Sequence, residues 1–465
     1  MPPSWSQHGS TGTARHYAPS AWNPAKSCLR QHENRAVIVE VTRVAQVTNP
    51  TRKGGCSMPP SPLTTSSPPL KVADRVASGP SSEVRQIFQT ALKRTGIISF
   101  ANGSPYLGEL PFHQLADDAH RIVTEFGSTA LQYGASNGIP ELRRHIVDLM
   151  AIEGVAADPE QVIVTAGSQQ ALGFAAHATI NPGDVVFAES PSYAGAMAVF
   201  AAYEAEIVHV PGDRDGLIPA EFECLVRVAW AAGKLPRMLY TVPNFQNPGG
   251  MNLSAERRIL LGRICQEQGL LLFEDNPYGL LGFDGATMRA IQPDAPDITF
   301  YFGSFSKMFA PGLRLGWLLA PEALHQPLTD IAQTAALNPS VFNQLLLTAY
   351  LDGPSWRDTL ARYRGLYRAK LEALVGALTE HMPAGTTWDL PAGGFYLWVT
   401  VPQGIDTHEL VHEAIERGVA YVPGTAIYTN GAGRSELRLS FCLPSVEEIR
   451  DGAAILGRLF SEALA

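Results

Sequence analysis

The sequence predicts an α/β protein in which a mainly parallel sheet is covered by helices on both faces. Short runs rich in Val, Ile, Leu and Phe recur between stretches of helical apolar spacing, as in Val162-Ile-Val-Thr165 followed by Ser168–Thr179. Strands that are apolar throughout, rather than alternating, are those buried on both faces. The chain also has 465 residues, more than one ordinary core holds, so a second, smaller α/β unit is expected.

Residues 1–80 stand apart. They are rich in Arg, Lys, Ser and Pro before Met58 and continue into Pro60-Ser-Pro-Leu-Thr-Thr-Ser-Ser-Pro-Pro69. Such a stretch buries too little apolar surface to offset its chain entropy and is expected to be poorly structured. Ala36-Val-Ile-Val-Glu-Val is an isolated strand candidate, and Met58 is an alternative start. The Arg-rich, acid-poor composition also permits a transit peptide.

From Ser81 the pattern is globular. Val84, Ile87, Phe88 and Leu92 have helical spacing, and Ile97-Ile-Ser-Phe is a short strand running into a turn. Pro140 opens an amphipathic helix, where its missing N–H is no loss. Strands follow at Val162–Thr165, Val185–Ala188, Ala205–Val210 and Met238–Val242, with helices at Ser168–Thr179 and Ala194–Tyr203 between them. A helix from Ala255 is capped by Ser254. Leu270–Phe273, Thr299–Phe302 and Leu315–Leu319 are further strands. A long helix over Trp356–Met382 leads to strand-like Phe395–Val399 and Glu436–Phe441. Ligands of such sheets sit at the carboxyl ends of the strands. That rule places the turns after Thr165, Val242, Phe273 and Phe302 on one rim.

Composition narrows the partners. The net charge of −9 argues against nucleic acid as the main partner. The five cysteines are scattered and unpaired in sequence, which fits neither a disulfide framework nor a zinc site, so no metal is expected. With no apolar run near the roughly 20 residues of a membrane span and no secretory signal, a cytoplasmic location is expected.

Four segments on that rim carry chemistry-bearing residues. In Gly303-Ser-Phe-Ser-Lys-Met-Phe-Ala-Pro-Gly-Leu-Arg-Leu-Gly316, Lys307 is either an amine nucleophile or an ordinary loop lysine. Ser304, Ser306 and Arg314 beside it could donate to a phosphate. Asp275, in Phe273-Glu-Asp-Asn-Pro-Tyr278, could hold a protonated ring nitrogen or be a turn aspartate. Tyr278 could reach a ring oxygen or simply pack. Asn247, in Pro243-Asn-Phe-Gln-Asn-Pro-Gly-Gly250, offers an amide donor or plain turn chemistry. Thr165-Ala-Gly-Ser-Gln-Gln joins a strand to a helix whose first N–H groups can cradle a phosphate, a signal common to many α/β proteins. Tyr193 could stack on an aromatic cofactor or fill the core.

The set in this order resembles the class I/II aminotransferases of fold type I, which depend on pyridoxal 5′-phosphate (PLP). The resemblance runs from about Ser81 to the C-terminus. It rests on Ser304-Phe-Ser-Lys-Met-Phe-Ala-Pro-Gly-Leu-Arg-Leu-Gly-Trp, Pro243-Asn-Phe-Gln-Asn-Pro-Gly-Gly, Glu274-Asp-Asn-Pro-Tyr and Leu131-Gln-Tyr-Gly-Ala-Ser-Asn-Gly. Ile98-Ser-Phe-Ala-Asn-Gly-Ser-Pro is similar to the 2-aminoadipate, kynurenine and aromatic subgroup. The resemblance implies an N-terminal arm with part of a small domain over 81–130, a large PLP-binding domain over 131–350 and a small domain over 351–465.

It also implies roles. Lys307 would carry PLP as a Schiff base and move the proton, and Asp275 would hold the pyridine nitrogen. Asn247 and Tyr278 would contact the ring oxygen, and Tyr193 would stack on the ring. Ser168, Gln169, Ser304, Ser306 and Arg314 would bind phosphate, with Tyr133 reaching in from a partner subunit of a homodimer. Arg438 would clamp the substrate carboxylate, with Asn247 and Gly103 beside the substrate. Arg85 falls where the subgroup carries a substrate-contacting arginine, though a solvated helix face fits it too. Asn102-Gly103 replaces the subgroup's usual Gly-Gly, a departure that bears on specificity.

Ping-pong transfer of an amino group between an L-amino acid and a 2-oxo acid, with glutamate and 2-oxoglutarate as the returning pair, is the expected reaction. The alternatives are another PLP reaction on the same residues (elimination, decarboxylation or an oxidative variant) and an aminotransferase-like regulator.

Overall fold

A computed structural model describes residues 72–73, 87, 90, 94–428 and 431–465. The expectations for residues 1–71, Arg85 among the arm residues, and the helix through Val84, Phe88 and Leu92 fall outside them, apart from helical Ile87.

An eight-stranded sheet organises Val162–Leu319. Its strands are β2 (Val162–Thr165), β3 (Asp184–Ser190), β4 (Glu206–Asp213), β5 (Gly216–Leu217), β6 (Leu235–Thr241), β7 (Leu271–Asp275), β8 (Thr299–Ser304) and β9 (Gly316–Leu319). They lie in the order β2-β9-β8-β7-β6-β3-β4-β5. The run β4-β3-β6-β7-β8 is parallel throughout. β9 is antiparallel to both of its neighbours, so β2 runs with the parallel set. The carboxyl ends of β2, β8, β7 and β6 therefore share one rim, as the strand–helix alternation predicts.

The apolar runs read as strands are those buried on both faces: every residue of β2, β8 and β9 is buried. β4, flanked by β3 and the two-residue edge strand β5, has only Val210 fully buried. Local signals set the connections. Ser254 accepts from the Arg257 N–H at the start of the helix Ala255–Gln268, and Gly269 ends that helix in the left-handed region at φ 66°.

A second sheet of four antiparallel strands, β10 (Thr387–Trp388), β11 (Tyr396–Thr400), β14 (Glu436–Ser440) and β13 (Val422–Pro423), follows the long helix Ser355–His381. A short strand β1 (Ile98–Ser99) pairs in parallel with β12 (Val419–Ala420), which ties the segment before the large sheet to the C-terminal part of the chain. The same register carries the loop 101–104 toward β14, where Ser440 N donates to Phe100 O. The helix Val446–Glu462, which buries Ile449, Ala453, Leu456 and Phe460, packs on Ser355–His381. Among the described residues no helix is long and apolar enough to cross a membrane.

Ser445 opens the C-terminal helix with a reciprocal cap: its Oγ accepts from Glu448 N, and Glu448 Oε2 accepts from Ser445 N. Ser445→Ala is expected to lower stability by about 1 kcal/mol, measured as a lower unfolding midpoint. An unchanged midpoint would show that this helix end is held by packing alone.

Candidate active site

The loops on the rim close around a cavity of about 480 Å³. Twelve of the fourteen residues expected to act line it: Gly103, Ser168, Gln169, Tyr193, Asn247, Asp275, Tyr278, Ser304, Ser306, Lys307, Arg314 and Arg438. Tyr133 does not. It is 76% exposed, outside the cavity of its own chain. Arg85 is not among the described residues.

Asp275 is the last residue of β7 and is buried on the cavity floor. Its Oδ2 accepts a 2.7 Å hydrogen bond from the Tyr240 hydroxyl. Its Oδ1 is buried and has no partner among the described residues. Burial pushes the carboxyl up to about 6, against the lowering effects of the Tyr240 hydrogen bond and the Lys307 charge. Asp275 thus ends a strand, and neither of its oxygens caps a backbone N–H among the described residues.

Lys307 follows β8 in a tight turn and is half-buried. Its Nζ donates to Gly103 O at 3.0 Å and lies 5.9 Å from the centre of the Phe395 ring. Arg438, on β14, is buried. It donates to Asn247 Oδ1 at 2.9 Å and to Ala101 O at 2.7 Å, and its guanidinium lies 4.5 Å from the centre of the Tyr396 ring. The short segment 101–104 is therefore gripped by both cations. Gly103 has no room for a side chain there, since a Cβ would stand 1.9 Å from the Tyr396 hydroxyl. Asn102, in place of a second glycine, folds its Oδ1 onto Ser104 N and Oγ at 3.0 and 2.7 Å.

The helix Ser168–Thr179 points its first turn at the cavity, with Gly167 at φ 86° as N-cap. A side chain at Gly167 would strike Arg314, whose guanidinium donates to Ala166 O at 3.1 Å. The first turn of this helix, Ser168, Ser304, Ser306 and Arg314 line the same part of the site with donors that could hold an anion. Tyr193 donates to Gln169 Oε1 at 3.2 Å, and Gln169 Nε2 donates to Gly195 O. Burial and the nearby Asp275 push the Tyr193 phenol up to about 12. Tyr278 meets the Tyr396 hydroxyl at 3.5 Å.

Behind the rim lies a buried network absent from the sequence reading. Glu153, in the turn after the helix Pro140–Ala151, accepts from the Tyr301 hydroxyl at 2.6 Å and from Asn276 Nδ2 at 2.8 Å. Asn276 in turn accepts from Asn244, whose Oδ1 takes Arg258. Tyr396 and Tyr240 also escaped the sequence. Both stand in apolar strands and read as core residues. Only the cross-strand register, Tyr240 beside Phe273 two residues before Asp275, shows what Tyr240 meets.

An amine, a buried free carboxylate oxygen and an anion cradle around one cavity define a site for an aromatic aldehyde phosphate, and the unpartnered Asp275 Oδ1 fits the protonated ring nitrogen of such a group. The family model "Aminotransferase class I and II" matches residues 95–456. A 2-aminoadipate transaminase of Thermus thermophilus is 35% identical over 392 residues, 83% of this chain and 95% of the relative. Aromatic-amino-acid aminotransferase 1 of Thermococcus litoralis is 32% identical over 385 residues, 82% and 92% of the two chains. Among solved structures, Pyrococcus horikoshii kynurenine aminotransferase, in complex with PMP, superposes with a TM-score of 0.80 at 32% identity, covering 85% of this chain and 98% of that one. The chain belongs to the class I and II aminotransferase family. It is a PLP-dependent aminotransferase of fold type I.

A second buried carboxyl stands near Asp275. Glu189 accepts from Val242 N at 2.7 Å and Thr241 Oγ1 at 3.0 Å, yet burial outweighs these donors and raises it from 4.5 to about 8. Between those values the folded chain holds a proton that the unfolded chain has released, so this group's contribution to stability falls as pH rises. The stability of Glu189→Gln relative to the parent should therefore increase from about pH 5 to 8, by at most about 1.4 kcal/mol per pH unit, in chemical unfolding at a series of pH values. A constant difference would contradict the buried-acid assignment.

Proposed function

We propose that the enzyme passes the amino group of an L-amino acid to a 2-oxo acid, with glutamate and 2-oxoglutarate as the returning pair, by a ping-pong course. The observation that carries this reading is the placement of Arg438. A buried guanidinium lines the same cavity as Lys307, and the two bind carbonyls only two residues apart in one segment. Amino acid and 2-oxo acid share a carboxylate, and a guanidinium fork can hold it in both half-reactions.

PLP, when bound, supplies the electron sink for the carbanion at the substrate Cα. Asp275 Oδ1 would accept from its ring nitrogen, Asn247 and Tyr278 would hold its ring oxygen, and Tyr193 would offer a ring face to stack on it. The cradle of Ser168, Gln169, Ser304, Ser306 and Arg314 takes the phosphate. Lys307 Nζ would be the amine that holds the cofactor and the base that moves the proton at the substrate Cα. Gly103 lets its segment pass close against Tyr396 at the cavity wall, and Arg438 sets which Cα bond is presented for cleavage.

Two further readings belong with this one. Leu131 and Tyr133 are 73% and 76% exposed, an apolar surface that suits a second copy of the chain, with Tyr133 reaching its neighbour's phosphate cradle. Cys224, Cys265 and Cys442 are free thiols, in keeping with a cytoplasmic enzyme.

Arg438→Lys, which keeps the charge and loses the fork, should raise KM for both the amino acid and the 2-oxo acid by about 10- to 100-fold, in steady-state assays over a donor panel. A rise for one substrate only would contradict the shared clamp. Initial rates of the parent with both substrates varied should give parallel double-reciprocal lines. Release of ammonia or carbon dioxide in place of a stoichiometric 2-oxo acid would overturn transamination.

A further inference from the structure

Asp275 has two carboxylate oxygens, and the structure gives them different surroundings. Oδ2 takes the Tyr240 hydroxyl at 2.7 Å, while Oδ1 is buried without a partner among the described residues. Tyr240 does not line the cavity and is fully buried on β6. Its ring is held edge-on against Phe200 at 5.4 Å, and it stands beside Phe273 on β7, whose side chain lies on the same sheet face as that of Asp275. A carboxylate at a strand's end can turn about its Cβ–Cγ bond, and a single strong donor on one oxygen removes that freedom.

We propose that Tyr240 is a positioning residue that locks the Asp275 carboxylate with Oδ1 toward the cavity as the acceptor for the cofactor's ring nitrogen. This rests on the reading of Asp275 as the partner of that nitrogen.

The charged and titratable groups acting on Asp275 come from every neighbouring element. Tyr240 on β6 and Lys307 after β8 lower it, and Glu189 on β3 and Tyr193 are close enough to feel its charge. The Tyr240 phenol is itself driven well above its ordinary value, first by burial and then by Asp275. It stays protonated throughout the working range and can only donate to this carboxylate. Without it, burial acts on Asp275 with Lys307 as the remaining lowering influence, so the carboxyl takes up a proton at higher pH. A protonated Asp275 cannot hold a protonated ring nitrogen.

The test is Tyr240→Phe in the holoenzyme, which keeps the ring against Phe200 and removes the hydroxyl. The acid limb of the kcat/KM profile should move up by about one pH unit, and the cofactor should dissociate about tenfold more readily, as expected for loss of a hydrogen bond to a charged group. The melting point of the cofactor-free protein should fall by no more than the few degrees that one lost hydrogen bond costs, whereas a merely structural role would leave the acid limb of the folded variant where it is. Tyr240→Met, similar in volume and equally unable to donate, should give the same two shifts if the Phe variant folds poorly. An unmoved acid limb with unchanged cofactor affinity in the folded variant overturns the proposal. Asp275→Asn serves as the reference: if it changes neither cofactor affinity nor the cofactor's absorbance, the reading of Asp275 falls, whatever Tyr240 does.

Discussion

The site depends on one buried carboxylate that never reaches it. Glu153 accepts from Tyr301 on β8 and Asn276 after β7, and through Asn276 and Asn244 it ties in the loop after β6. Those three strand ends supply Lys307, Asp275 and Asn247. Burial raises the Glu153 carboxyl against the donors that surround it, so it is a strained group that only a complete set of partners can tolerate. Its removal would leave the Asn276 amide and the Tyr301 hydroxyl without their shared acceptor. Loops are the natural place for catalytic side chains and the least rigid part of a fold. Here a polar network inside the protein supplies the stiffness that the loop backbones lack.

On this frame the electrostatics of the cavity follow simply. Lys307, Arg314 and Arg438 line it together with one buried acid, Asp275, which suits a ligand with a phosphate at one end, a carboxylate at another and a positive ring nitrogen between. The cations are partly spoken for by protein carbonyls: Lys307 by Gly103, Arg438 by Ala101 and Arg314 by Ala166. These neutral partners leave the cations' charge uncancelled, whereas carboxylate partners would have neutralised them before any ligand arrived.

The parallel sheet and its rim were legible because apolar strands and helical spacing are local properties. Val162–Thr165 and Thr299–Phe302 read as strands from their own residues, and the motifs after them carried Lys307 and Asp275 onto one edge. What stayed hidden was relational. β9 reads like its neighbours yet runs against them, because the stretch between Ser304 and Gly316 holds no crossover α-helix to carry the chain back to the other end of the sheet. Tyr240, Tyr396 and Glu153 gain their meaning only from partners 35 to 148 residues away in the chain. A buried Tyr in an apolar strand looks the same whether it fills space or steers a carboxylate. Arg438 was the exception among distant residues, recognised by family resemblance rather than by its own strand.

The most direct test of the whole account is borohydride reduction of the PLP-loaded enzyme followed by peptide mass mapping. The account predicts a single phosphopyridoxyl adduct, on Lys307 in the peptide Gly303-Ser-Phe-Ser-Lys-Met. An adduct on another lysine, or none in protein that has bound the cofactor, would contradict it.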